Sequence, residues 1–203
     1  MLSLILCLVV GGNMVDLPPS EFTDRSIEEC IELRRSVRGY KDKELTLSQI
    51  SNILWAAQGI TEEKYGFRAA PSAGATYPLV VFVAKKDGFF RYMPESHALM
   101  RQIDKDLRRD IANAALGQGF IAEAGMVVVI TAVFERTAMR YGDRAVRYVH
   151  IEVGHCAQNI HLEAVALGLG SVPVGAFNDK KLSALLKLKN EEPLYIIPVG
   201  HPK

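Results

Sequence analysis

DRAVRYVHIEVGHCAQNIHLEAVAL, residues 143–167, is the stretch that settles the fold class. Val146, Val149, Val153, Ala157, Ile160, Ala164 and Leu167 follow at steps of 3, 4, 4, 3, 4 and 3 residues, one apolar stripe along a single long helix. Gly168 and Gly170 end it. Upstream, MVVVITAV at 126–133 is a near-continuous apolar run of strand length, the pattern of a strand covered on both faces. A long helix beside a buried strand, with no regular alternation of strand and helix elsewhere, predicts an α+β class.

Working outward, Ser26-Ile27-Glu28-Glu29 has the S-x-x-E form of a capping box and opens a short helix through Cys30 and Leu33. That helix delivers Arg34-Arg35-Ser36-Val37-Arg38. A second helix is predicted over about Leu47 to Gln58, with Leu47, Ile50, Ile53, Leu54 and Ala57 on one face and Gly59 as its stop. Thr61 to Ala70 has no period and reads as a loop; its Glu62, Glu63, Lys64, Tyr65, Phe67 and Arg68 border a substrate entrance or form a plain solvated connection. Pro78 leads a strand, Leu79 to Ala84, and Phe89 to Met93 is its hairpin partner across Asp87-Gly88. Ala98 to Leu116 is helical in pattern, a short helix follows near Asp179 to Leu188, and Leu194 to Val199 is the closing strand. No linker or repeat divides residues 17–203, which form one domain behind an apolar extension at 1–16.

Composition excludes several classes. The chain has 203 residues, 49% of them hydrophobic, and 24 basic residues nearly cancel 23 acidic ones, so a folded core is expected and disorder is not. A net charge of +1 does not suit a dedicated nucleic-acid binder. Cys7, Cys30 and Cys156 show no CxxC spacing, which gives neither a disulfide framework nor a zinc site and fits a reducing, cytoplasmic setting. The Met1 to Val10 run is too short to span a membrane and lacks the basic residue that precedes a signal peptide. It reads as an added strand, a packing arm or a start misassigned ahead of Met14, and membrane association is not expected. His150, His155 and His161 are spaced five and six apart, off the i, i+4 geometry of a zinc pair, and no metal site is assigned. No G-x-S-x-G elbow occurs, and Cys156 beside the apolar stripe reads as an inert core thiol.

Three segments could carry chemistry. Arg34 to Arg38 packs three guanidiniums and a hydroxyl into five residues at a helix end, which suits a phosphate and equally a solvated basic patch. Pro71-Ser72-Ala73-Gly74-Ala75-Thr76-Tyr77-Pro78 is a run of small residues ahead of a strand, fit for a flat ligand to approach or for a plain turn. Gly168 to Phe177 is glycine-rich but follows a helix instead of opening one, so it is no dinucleotide fingerprint; a tight turn with ligand-facing amides remains.

Taken together, these segments resemble the nitroreductase family of FMN-dependent oxidoreductases, and within it the SagB-type dehydrogenase branch, which includes thiazoline and oxazoline dehydrogenases. The resemblance covers about Leu17 to Pro202. It rests on SxEExxxxRRSVR at 26–38, ILWAAQG at 53–59, APSAGATYP at 70–78, RYGDRAVRY at 140–148, GHCAQNIHLEAVALGLG at 154–170, VPVGAF at 172–177 and PVGHP at 198–202.

The resemblance implies a central, mostly antiparallel sheet wrapped by helices, and a homodimer with FMN at the interface. It places Arg34, Ser36 and Arg38 on the FMN phosphate and ribityl chain, with Arg35 contributing partly through its backbone. Pro71, Ser72, Ala73 and Gly74 approach the ring from the other subunit. Pro173, Val174 and Gly175 lie near its N5 and O4 through the amides of the last two, and Gln118 lies at the pyrimidine edge. The implied activity is hydride transfer from NADH or NADPH through FMN to a small electrophile such as a nitroaromatic or quinone. Dehydrogenation of a modified peptide is the alternative, and a non-catalytic flavin-binding module a second one. Arg140-Tyr141 stands where SagB-type azoline dehydrogenases show Lys-Tyr, and arginine does not readily accept a proton, so Tyr141 is the remaining acid or base. After its Gly-His step the chain offers Lys203 as a further basic residue.

Overall fold

The computed structural model describes residues 13–203; the Met1 to Val10 run lies outside the described residues. A seven-stranded sheet runs in the order β1-β6-β5-β4-β7-β9-β8, and every neighbouring pair is antiparallel. These strands are β1 (Met14–Asp16), β4 (Leu79–Lys85), β5 (Gly88–Met93), β6 (Ala98–Ile103), β7 (Met126–Ala132), β8 (Gly170–Ser171) and β9 (Glu192–Gly200). A separate two-stranded ribbon, β2 (Ile60–Glu62) with β3 (Phe67–Arg68), occupies the segment expected as a loop. Met14–Asp16, placed by the sequence in the extension, joins the sheet as its edge strand against Ala98–Met100.

Both faces of the two central strands are covered, which is why their sequences read as unbroken apolar runs. Leu79, Val81, Val83, Met126, Val128 and Ile130 pack with Ile53 and Leu54 of α2 (Leu47–Gln58) and with Val149, Val153, Ala157, Ile160 and Ala164 of α6 (Ala145–Ala166). The alternate residues Val80, Phe82, Val127 and Val129 pack on the opposite side. Their partners are Ile111 of α3 (Arg108–Ala114), Ile121 of α4 (Phe120–Glu123), and Leu182 and Leu186 of α7 (Asp179–Leu186). Each such side chain, fully withdrawn from water, contributes roughly 1.5–3 kcal/mol before entropy is counted.

The capping box is present as expected: Ser26 Oγ accepts from Glu29 N at 3.2 Å, Glu29 Oε2 accepts from Ser26 N at 2.8 Å, and α1 (Ile27–Leu33) begins there. Thr46 and Gln49 repeat the device at α2, and Gly59 N–H closes it on Trp55 O. Three expectations need correction. Ala98 to Leu116 is not one helix, because Ala98–Ile103 pairs with β5 and β1, and cross-strand partners override the helix preference of Ala, Leu, Met and Gln. Ahead of α6, a separate helix α5 (Glu135–Tyr141) and a 3-10 turn at Gly142–Arg144 replace the expected uninterrupted start at Asp143. Val146 has the stripe's angle but sits in the first turn of α6 and is 55% exposed, so the stripe is buried only from Val149 onward. Among the described residues no helix is long and apolar enough to cross a membrane.

Candidate functional site

At the end of α1 the chain turns and runs beside β8. Arg34 N–H closes the helix on Cys30 O, Val37 N–H donates to Ser171 O at 3.0 Å, and Ser36 pairs with Ser171 in a parallel bridge. Gly170 lets the two segments approach: a Cβ there would stand 2.7 Å from Val37 Cβ. Below, His161 Nδ1 and Ser171 Oγ share a hydrogen bond of 2.7 Å. Burial, and then the Arg34 guanidinium, push the His161 imidazole down to about 4, so it is neutral at physiological pH. Its Nε2 is buried with no hydrogen-bond partner among the described residues.

Around this frame the guanidiniums divide. Arg35 folds back on the helix end, its Nη1 donating to Glu32 O at 2.7 Å and Arg34 O at 2.8 Å. Arg34 and Arg38 form no side-chain hydrogen bond or ion pair with the described residues, and Arg38 lies 5.9 Å from the centre of the Phe120 ring. Gln118 Nε2 donates to Ala115 O and, at 3.1 Å, to Ala176 O. Pro173, Val174 and Gly175 cross between them. The Val174 N–H is already donated to Ile196 O at 2.8 Å, so of the two amides expected to meet a flavin only that of exposed Gly175 is open to one. Lys203 N–H donates to Gly39 O, and its Nζ pairs with Glu123 at 3.1 Å, beside the same segment.

The second cluster surrounds Pro71 to Gly74. Three of the four residues from Gly74 to Tyr77 have positive φ, Gly74 (φ 59°), Ala75 (φ 53°) and Tyr77 (φ 44°), a costly geometry for the latter two. Side chains of α5 hold it: Arg136 Nη1 donates to Tyr77 O at 3.0 Å, Thr137 Oγ1 meets Thr76 Oγ1 at 2.9 Å, and Arg140 Nη1 donates to Gly74 O at 3.1 Å. A Cβ on Gly74 would stand 2.6 Å from Tyr141 Oη, so Arg140 and Tyr141 both lie against this segment. The Ser72 hydroxyl is committed on both sides, donating to Glu152 Oε2 at 2.6 Å and accepting from Tyr77 N at 3.0 Å.

Glu152 is the residue that sequence reasoning missed; its place at the edge of the apolar stripe was the one available signal. It is 2% exposed, and its Oε1 has no hydrogen-bond partner among the described residues. Burial pushes its carboxyl up to about 7 against the opposing pull of Ser72 and Arg68. With Pro71, Ser72, Ala73, Tyr148, Ile151 and His155 it lines a cavity of about 300 Å³. Four residues on, Cys156 is fully buried and its thiol is pushed up to about 12, an inert core group as expected.

Within one chain the two clusters stay apart. His161 marks one and Glu152 the other, nine residues or about 14 Å along α6. Arg34, Ser36, Arg38, Gln118 and Pro173 to Gly175 come together; Pro71 to Gly74, Arg140 and Tyr141 come together elsewhere. Among the described residues no group of three or more His, Cys, Asp and Glu side chains is placed to hold a metal ion.

Comparison with known proteins agrees with this architecture. The model of the nitroreductase family matches residues 31–201. A Methanocaldococcus jannaschii protein assigned to the nitroreductases is 46% identical over 195 residues, 93% of this chain and 98% of that protein. An FMN reductase [NAD(P)H] of Bacillus subtilis is 25% identical over 83% of this chain and 62% of its own length. The crystal structure of a Ralstonia eutropha protein assigned to the nitroreductases superposes with a TM-score of 0.86 at 29% identity, over 95% of this chain and 90% of that one. The chain is an oxidoreductase of the nitroreductase family.

Proposed function

We propose that the protein is an FMN-dependent oxidoreductase that takes hydride from NADH or NADPH and passes it to a small electrophilic acceptor, in a site completed between two copies of the chain. The observation that carries it is the pair of unengaged guanidiniums, Arg34 and Arg38, on a backbone locked to β8 above the unpartnered His161 Nε2. Arginine forks in that position suit a phosphate and its ribityl chain, and a neutral imidazole with an unmatched nitrogen suits a polar ligand atom. The residues therefore fit FMN. When bound, FMN accepts hydride at N5 and returns it to an acceptor.

The chain's own residues bind, orient and protonate. Arg34, Ser36 and Arg38 hold the anionic end; the Gly175 N–H supports the ring, with Pro173, Val174 and Gln118 beside it. Pro71 to Gly74 of the second protomer closes over the ring. In that segment Ser72 acts by shape and backbone, because its hydroxyl is already bonded to Glu152 and Tyr77 N. Glu152, protonated up to about 7, is placed to supply a proton into the cavity that it lines. The second protomer is supported by α6, whose Val146, Arg147, His150, Ile151, Gly154, His155 and Gln158 all face solvent.

The motif order aligns the chain with the SagB-type branch, but Arg140 argues for reduction of small acceptors over peptide dehydrogenation. Its guanidinium holds the Gly74 carbonyl, and an arginine does not take up the proton that azoline oxidation releases. Anaerobic titration of the FMN-loaded protein with NADPH, then NADH, tests the reading: bleaching of the flavin bands by either nucleotide is expected. A flavin that neither nucleotide bleaches removes the nicotinamide-driven reaction.

A further inference from the structure

Three arginines from three different elements converge on one small cavity, distinct from the one Glu152 lines, on the far side of Tyr77 from Pro71 to Gly74. Arg68 of β3, Arg91 of β5 and Arg136 of α5 line a cavity of about 90 Å³, with Gln58, Tyr92 and Glu95 completing the wall. That is several times the roughly 10–15 Å³ that one water needs. The cations are incompletely matched. Arg68 pairs with Glu95 at 3.1 Å, Arg91 reaches Glu191 only at 3.9 Å, and Arg136 bonds a neutral carbonyl, Tyr77 O. Arg91 Nε is buried with no partner among the described residues. Three like charges in a half-buried space repel one another, and a buried donor left unmade costs about 1–3 kcal/mol. Burial and then the charges of Arg91 and Arg68 act against the charge of Arg136, with Glu191 and Glu95 only partly offsetting them.

We propose that this cavity is a binding site for a small oxyanion, a carboxylate or an inorganic oxyanion such as nitrate, sulfate or phosphate, held between Arg68, Arg91 and Arg136. The guanidinium fork is the donor geometry that recognises two oxygens at once, and an oxyanion supplies both the charge and the acceptor that Arg91 Nε lacks. The site also touches the strained segment. Arg136 holds Tyr77 O, and Arg68 lies 4.5 Å from the centre of the Tyr77 ring. An anion there fixes the two arginines that pin Tyr77, and so steadies the turn that carries Pro71 to Gly74. The proposal does not depend on the flavin assignment.

Thermal unfolding of the purified protein in sodium formate, nitrate, sulfate and phosphate, each against chloride at equal ionic strength, is the test. At least one oxyanion should raise Tm by about 5–10 °C at a hundredfold excess over its Kd, and further with the logarithm of its concentration. Arg91→Gln should abolish that rise, while Arg109→Gln, at an exposed arginine outside both basic groups, should leave it intact. Arg136→Lys keeps the charge without the fork, guards against an Arg91 variant that fails to fold, and should weaken binding about tenfold or more. Equal behaviour of every oxyanion and chloride overturns the site. So does a rise that survives Arg91→Gln, or one lost in Arg109→Gln instead.

Discussion

Two buried side chains on α6 set opposing pH dependences nine residues apart. Glu152 holds its proton up to about 7 when folded, whereas an unfolded glutamate releases it near 4.5. The native state therefore binds more protons than the unfolded one between those values, and stability falls as pH rises from about 4.5 to about 7. His161 works the other way. Its folded value near 4 lies below the ordinary 6.5, so the unfolded chain gains the proton first and stability falls as pH drops through that window. In the wild type the two slopes oppose each other. Glu152→Gln keeps an acceptor for the Ser72 hydroxyl and removes the carboxylate's desolvation. The variant should gain about 1–3 kcal/mol over wild type at pH 8 and nothing near pH 4.5, read from urea midpoints. An equal change at both pH values would show that Glu152 is ionised in the fold.

At the scale of elements, α6 is the member with two jobs. One face fills the core from Val149 to Ala164, and the opposite face carries Ile151, Gly154 and His155 into solvent. Nothing lies within 4 Å of where a Gly154 Cβ would stand, so an isolated chain tolerates a side chain there, and helix propensity favours one. Gly154→Arg should nevertheless convert a dimer to a monomer in light scattering and lower FMN retention, because the exposed face of α6 carries the second protomer in the assembly that we propose. A variant that stays dimeric would place the second protomer on another face. The same helix shows what was legible. Its stripe, the near-continuous apolar run of β7, the capping box at Ser26 and the Phe89 to Met93 hairpin follow local rules and are written in the sequence. β6 was not, because Ala98-Leu99-Met100 has helical composition and is extended only by pairing with two other strands. Glu152 was hidden for a related reason: its raised carboxyl comes from burial, and its hydrogen-bond partner Ser72 lies 80 residues away in sequence.

In the whole molecule the sheet acts as a spacer. β8 and β9 carry the Arg34 to Arg38 segment, while α5 and the start of α6 carry Pro71 to Gly74, and one chain cannot bring them together. The candidate residues were legible as two motifs, and the family resemblance assigned Pro71 to Gly74 to another subunit; their separation along α6 was not legible in the residues themselves, because it depends on where each segment packs. Arg34 and Arg38 make no side-chain hydrogen bonds with the described residues, so replacing them should leave the fold intact while removing the proposed hold on phosphate. The decisive measurement is FMN affinity of the wild type against the Arg34→Ala/Arg38→Ala double variant, by fluorescence titration with circular dichroism as the folding control. Losing two charge-assisted hydrogen-bonding groups at about 1.5–3 kcal/mol each should weaken FMN binding by a hundredfold or more with an unchanged spectrum of the fold. A folded double variant that binds FMN as tightly as the wild type would contradict the site.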